Sequence, residues 1–222
     1  MTERHPSSSI SSRLLQFIAI DVSRLLWLNT REFLPSKPVV GAECRVLTPK
    51  DIELLSRIND FGLSDQVAHS INEQNGLGIG IFVDNKLAGI SFYLTHPIAS
   101  PQGQRHSHFS GNTISIPPGT RSLYGAFVLP EHRGLRLHSA MVRSAINHLG
   151  TDTVHTLVTT AKLTEKAFLS SVLNQGFEKV GWTAEGVLFG NHYYRLPKPV
   201  DSLNGTVSTE EEGCIVVRPA GV

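Results

Sequence analysis

Apolar and polar positions change their period several times along the chain, and each change marks an element. In GLGIGIFVDNKLAGISFYLT, Ile79, Ile81 and Val83 fall at every second position, Asp84-Asn85 interrupts, and Leu87 to Thr95 resume. A period of two with a two-residue polar break predicts a β-hairpin. In LRLHSAMVRSAINHLG the period lengthens. Leu137, Ala140 or Met141, Ala145, Ile146 and Leu149 then share one side of a helix, which Gly150 ends. EKAFLSSVLNQ has the same spacing, with Thr164 as its cap, Ala167, Phe168 and Val172 facing inward, and Gly176 as its stop. In VLTPKDIELLSRI, Arg45 to Leu47 read as a strand and Thr48 as an N-cap. Pro49 takes the first helical position, Asp51 is placed for a capping box, and Ile52, Leu55 and Ile58 are buried. SDQVAHSINEQ adds a helix after Gly62. RSLYGAFVLP, TVHTLVTT, FEKVGW, GVLF and HYYRL read as strands.

The resulting order is β, αα, β, β, long loop, β, α, β, α, β, β. Hairpins mixed with βα units imply an α/β (α+β) fold, a mixed sheet with helices on both faces. At 222 residues one domain with a short appendage is expected. Residues 1–12 form a polar, Ser-rich, disordered lead. Residues 13–42 hold an N-terminal strand and a Pro-containing connector, 43–196 the main domain, and 197–222 a polar, acidic, flexible tail. The apolar run RLLQFIAIDVSRLLWL is interrupted by Asp21 and Arg24 and lacks a cleavage site, so it is no signal peptide. It reads as a strand, QFIAIDV, followed by a loop to Pro35. The alternative is an interfacial helix with Leu14, Ile18, Leu25 and Trp27 toward lipid. No run reaches the roughly 18 apolar residues of a membrane span, so stable membrane insertion is not expected.

Composition narrows the chemistry. A net charge of +1 argues against nucleic acid as the main partner, although a basic patch spans His132 to Arg143. Cys44 and Cys214 lack metal-ligand spacing and read as free thiols, which makes a cytoplasm the default compartment. Residues 96–120 form a long polar insertion. His106 and His108 within it have no evident third ligand, so no metal is expected. Gly78 and Gly80 lie inside a strand pattern and open no helix, which excludes a dinucleotide fingerprint.

VLPEHRGLRLHSAM, Val128 to Met141, is the stretch with most chemical content: a strand end, a short basic loop and the first turns of a helix. Together with TEKAFLSSVLNQGFEKVGW and VLTPKDIELLSRI, it resembles the GCN5-related N-acetyltransferase (GNAT) family over roughly Glu43 to Leu196. The wording around Tyr124-x-Ala126-Phe127 and the basic loop also resembles a subset found beside surface-polysaccharide genes. The resemblance implies a GNAT-like mixed, mostly antiparallel sheet flanked by helices on both faces. It also implies transfer of an acyl group from acetyl-CoA or another acyl-CoA to a primary amine of a small molecule, such as an amino sugar. A homodimer is one option for its assembly. Backbone groups of Ala126, Phe127 and Val128 would bind the pantetheine arm. Arg133, Gly134, Leu135, Arg136, Leu137 and His138 would surround the pyrophosphate at a helix N-terminus.

The family's loop pattern is Arg/Gln-x-x-Gly-x-Gly/Ala. Arg133 fits it, while Arg136 and His138 replace its small residues. Arg136 either binds phosphate itself or blocks the site. No Asp or Glu lies between Gly119 and Pro130 to serve as a base, and Val172 stands where many members carry an acidic tyrosine. Tyr124 is the catalytic candidate, its phenol donating a proton or positioning water, with packing as the plainer role. His155, Glu131, His132, His192, Tyr193 and Tyr194 remain unassigned. Two other readings stay open: a long-chain donor, acyl-CoA or acyl carrier protein, with the apolar N-terminal segment lining a tunnel; and a non-catalytic ligand-binding or interaction module.

Overall fold

The computed structural model describes residues 18–35, 37, 40–57, 63, 65–73, 76–95, 114–115, 118–188, 191–195, 200–202, 205–209 and 215–219. For some of these, including 18–21 and all from 185 onward, only the backbone is described. The chain runs β1 (Ile18–Asn29), β2 (Ala42–Leu47), α1 (Pro49–Ser56), α2 (Asp65–Glu73), β3 (Leu77–Val83) and β4 (Lys86–Leu94). It continues through β5 (Ile114–Ser115), β6 (Thr120–Val128), α3 (Leu137–Leu149), β7 (Thr156–Lys162), α4 (Lys166–Leu173), β8 (Glu178–Leu188) and β9 (Asn191–Arg195). β10 (Val200–Ser202), β11 (Gly205–Thr209) and β12 (Ile215–Pro219) follow.

Eight strands form the main sheet in the order β2-β3-β4-β6-β7-β1-β8-β9. β6 and β7 are parallel; the other described neighbours in this sheet are antiparallel. The expected mixed, mostly antiparallel sheet is therefore present. One face packs Leu26, Ile79, Ile81 and Tyr93 against Met141 and Val142 of α3 and Val172 of α4. The other packs Ile90, Phe92 and Leu94 against Ile52 and Leu55 of α1 and Ile71 of α2. Burying each such Leu, Ile or Phe stabilises the fold by roughly 1.5–3 kcal/mol. Local signals agree with this packing. Thr48 and Asp51 form the capping box that starts α1, and Asp84 and Asn85 both have positive φ, 49° and 62°, as a tight hairpin turn requires. Ile58 lies outside the described residues.

Three local expectations need correction. FEKVGW and GVLF are one strand, β8. α4 is capped at Glu165 rather than Thr164, with no side-chain bond to its N-terminus. Ala167 is exposed, while Phe168 and Val172 pack on the core as expected.

Two larger departures concern the chain ends. The N-terminal strand does not stop at Val22 but continues to Asn29, between β7 and β8. Leu25, Leu26, Trp27 and Leu28 are each at most 1% exposed. A strand covered on both faces needs no alternation, so its run of apolar residues lacked a strand period. Its interior position also removes the interfacial-helix alternative for Leu25 and Trp27. At the other end, part of the expected flexible tail forms strands. β10, β11 and β12 build a second sheet whose last member pairs in parallel with β5 of the insertion. The acidic stretch near Glu210 dominated the composition, whereas the β-branched residues Val207 and Ile215 to Val217 favour strands.

Candidate active site at a strand wedge

β6 and β7 pair only at Thr120, Arg121 and Ser122, opposite Thr156, Leu157 and Val158. Thr159 makes the next link with its side chain: Oγ1 donates to the Leu123 carbonyl at 3.0 Å, fully buried. Beyond that bond no pairing joins the two strands, although β6 runs on to Val128 and β7 to Lys162. The result is a wedge, closed at Thr159 and open toward the N-terminus of α3.

Gly125 shapes its β6 wall. Tyr124 pairs with Phe92 and Phe127 with Ile90, leaving Gly125 and Ala126 opposite the single residue Ser91. Gly125 has a φ of +60°, the left-handed value of a glycine bulge. The extra residue resets alternation: Leu123, Ala126 and Val128 belong to the α3 face, Tyr124 and Phe127 to the α1/α2 face. The Leu129 N–H donates to Ala88 of β4. By alternation, the backbone groups of Val128 and Ala126 point away from β4, into the wedge. The Val128 carbonyl is not free, however. It accepts from Arg133 Nε at 3.1 Å. Of the three residues expected to hold a pantetheine arm, Ala126 presents both backbone groups there, Val128 its N–H, and Phe127 neither.

The loop that follows turns twice through left-handed backbone. Gly134 has a φ of +82°, with nothing within 4 Å of where a Cβ would stand. Arg136 has φ 59° and ψ 24°. This is the conformation a glycine adopts freely, and for an arginine it costs about 1–2 kcal/mol. Arg136 is the N-cap of α3, yet its side chain makes no capping bond. The first N–H groups of a helix have no intrahelical partner, so here they form an uncapped, positively polarised end. Arg133 and Arg136 are exposed beside it, and the Arg133 guanidinium lies 5.7 Å from the Phe127 ring centre. Leu135 is also exposed. Leu137 and His138 are buried, so their side chains cannot meet a phosphate and only their backbone remains for that role. Burial pushes the His138 ring down to about 4.

Tyr124 is partly buried on the α1/α2 face, on the wedge strand. Burial pushes its phenol up to about 12, so it stays protonated and keeps an O–H that can donate a hydrogen bond. Val172 is fully buried hydrocarbon and supplies no proton. His155 precedes β7 at the closed end, its Nδ1 2.9 Å from the Thr151 carbonyl. It is not brought to the wedge. His132 and Glu131 sit in a 3-10 turn, Pro130–His132, on the loop. His192, Tyr193 and Tyr194 lie on the edge strand β9, with β8 and β1 between them and β7, and their side chains are outside the described residues. So are His106 and His108. The insertion leaves β4 after Leu94 and rejoins at Thr120, both at the closed end, away from the α3 N-terminus. Gly125 and Thr159 escaped the sequence reading. A glycine inside a strand pattern signals a bulge, while Thr159 carries no local signal.

Among the described residues no group of three or more His, Cys, Asp or Glu could hold a metal, and no helix is long and apolar enough to cross a membrane. Cys44 is a free, partly buried thiol that burial pushes up to about 11.

No family model and no curated protein matches the chain. Solved structures do. A Drosophila protein from structural genomics aligns over 78% of this chain and 55% of its own, at 15% identity and TM-score 0.50. A putative GNAT-family acetyltransferase from Novosphingobium aromaticivorans aligns over 75% of this chain and 63% of its own, at 12% identity and TM-score 0.48. A predicted acetyltransferase from Clostridium acetobutylicum, solved with acetyl-CoA, aligns over 58% of this chain and 87% of its own, at 14% identity and TM-score 0.39. The chain thus spans between half and two thirds of the first two structures. At these identities the likeness is one of fold alone, that of a mixed, mostly antiparallel sheet with helices.

Proposed function

We propose that the chain is an acyl-CoA-dependent N-acyltransferase of the GNAT type, acting on a primary amine of a small molecule, an amino sugar among the candidates. One observation carries this reading: the bulged wall of the wedge leads directly into an uncapped helix N-terminus flanked by two exposed arginines. An extended arm ending in phosphates fits that sequence of features. Ala126 would pair with the arm as a strand does. The N–H groups of residues 136 to 138, with Arg133 and Arg136, would take the pyrophosphate.

In the reaction a neutral amine attacks the thioester carbon. A backbone N–H at the Gly125–Ala126 bulge stabilises the oxyanion. The C–S bond breaks, the acyl group passes to nitrogen, and the thiolate takes up the proton the amine loses, directly or through water. A thiol pKa near 8.5 makes the thiolate an adequate leaving group without a strong acid. Tyr124, on the same strand, would donate a hydrogen bond to the departing sulfur or to that water while keeping its own proton. The apolar segment at Leu25 to Leu28 is packed inside the sheet, which weighs against its lining a tunnel for a long acyl chain.

Calorimetric titration with acetyl-CoA and CoA tests the reading. Micromolar binding is expected, lost in Arg133→Ala/Arg136→Ala. Absence of binding by the unaltered protein to acetyl-CoA, CoA or a longer acyl-CoA would overturn it in favour of a carrier-protein donor or a non-catalytic module.

A further inference from the structure

His138 occupies the position where the GNAT loop pattern has its second small residue, and its side chain enters the space between α3 and α4. Its Nδ1 lies 3.0 Å from Ser171 Oγ and 3.0 Å from Gln175 Nε2. Gln175 Nε2 also donates to the Ser171 carbonyl at 3.0 Å. A carbonyl only accepts, so that bond fixes which end of the amide faces the ring. The amide nitrogen only donates, so Nδ1 must be the acceptor. The ring hydrogen therefore sits on Nε2. Nε2 and Gln175 Oε1 are both buried without a partner among the described residues. His138 and Gln175 are 8% and 2% exposed, and the ring packs at 5.3 Å against Phe168.

An apolar filling of this space would avoid two orphaned polar atoms. Apolar contacts are non-directional, however, whereas hydrogen bonds to a ring nitrogen fix angle as well as distance. Gln175 is itself anchored: its carbonyl accepts from the Leu34 N–H at 3.1 Å, and its N–H donates to Val172 at 3.0 Å. The cluster thus ties the second residue of α3 to a fixed point at the end of α4.

We propose that His138 is a positioning residue: through Gln175 and Ser171 it sets the orientation of the first turn of α3, and with it the aim of the N–H donors at residues 136 to 138. This rests on the reading of that helix end as the acyl-CoA phosphate site. Phosphate recognition then depends on a side chain that touches no phosphate.

The test compares CoA with pantetheine, which shares the arm but has no phosphate. Binding is followed by NMR titration in the unaltered protein, His138→Ala and His138→Asn; the Asn oxygen can replace Nδ1 as acceptor. His138→Ala is expected to weaken CoA by roughly ten- to a hundredfold and to leave pantetheine unchanged, and His138→Asn to recover most of the loss. Should His138→Ala fail to fold, Ser171→Ala is read in the same way. Equal loss of both ligands would mean a general structural role and overturn the proposal, as would unchanged CoA binding or an Asn variant no better than Ala. If the unaltered protein binds pantetheine but not CoA, or neither, the phosphate-site reading falls first and the proposal with it.

Discussion

The two halves of the main sheet are made differently. From β2 through β3 and β4 to β6, spatial order follows chain order and every pairing is antiparallel. From β7 to β9, the first described strand of the chain is inserted between β7 and β8, far from both in sequence. The wedge lies on the seam between these halves, where only three residue pairs and the Thr159 side chain join β6 to β7. Helices divide in the same way, α3 packing on β2, β3, β4 and β6, and α4 on β7. The lesson is that a sheet opens where its own cross-links are fewest, and that contacts between helix ends such as His138–Gln175 then help to join the halves.

The largest test of this division removes the inserted strand's anchor. Trp27 is 1% exposed and donates from Nε1 to Glu178 at 3.3 Å. Trp27→Ala should cost about 3–5 kcal/mol in denaturant unfolding. If the halves are separable, near-ultraviolet and far-ultraviolet transitions should part company in the variant, as loss of two-state behaviour requires. Coincident transitions would show that the halves unfold together.

A smaller effect is expected from acid, at the joint between α3 and α4. His138 is held neutral down to about 4 in the fold, against an ordinary value of 6.5. As pH falls between these values the unfolded chain takes up a proton that the native ring refuses. Stability from this residue is therefore complete above 6.5 and lost as pH falls toward 4, by roughly 3 kcal/mol in all. Unfolding curves from pH 7 to pH 4 measure it. His138→Asn should flatten the slope in this window, and an unchanged slope would refute the assignment.

The smallest change, and the sharpest for the site, is Arg136→Gly. Release of left-handed strain should raise stability by about 1 kcal/mol. Loss of the guanidinium should weaken CoA several-fold, an effect reduced by salt. Gains in both would show that Arg136 obstructs the cradle; opposite signs would show that it serves the ligand.

Much of the first half was legible because its signals are local. Thr48, Pro49 and Asp51 announce α1, Asp84-Asn85 announces the hairpin, and Gly150 ends α3. The loop was legible as a turn into a helix, and Gly134 and Arg136 both take left-handed backbone there. Its side-chain fates were not, since nothing in the residues around His138 states that Ser171 and Gln175 will meet it. Nor did the apolar run at Leu25 to Leu28 reveal its neighbours, because a strand covered on both faces has no period to read. Gly125 was legible in principle. Its φ of +60° is what a glycine within a strand pattern permits.

The inserted strand also has a history. β1 leaves the ribosome before every other described strand, yet its partners are among the later ones. At about 5–20 residues per second, Asn29 waits on the order of ten seconds for Thr156 to be made. Throughout that time Leu25 to Leu28, bound for the interior of the sheet, have no native strand partner. Synthesis can complete β2 through β6 as a nascent half, but the sheet closes only after β8 emerges. β1 finds its first strand partner only once β7 has been made, and the interval before that is when the chain most needs protection from its neighbours.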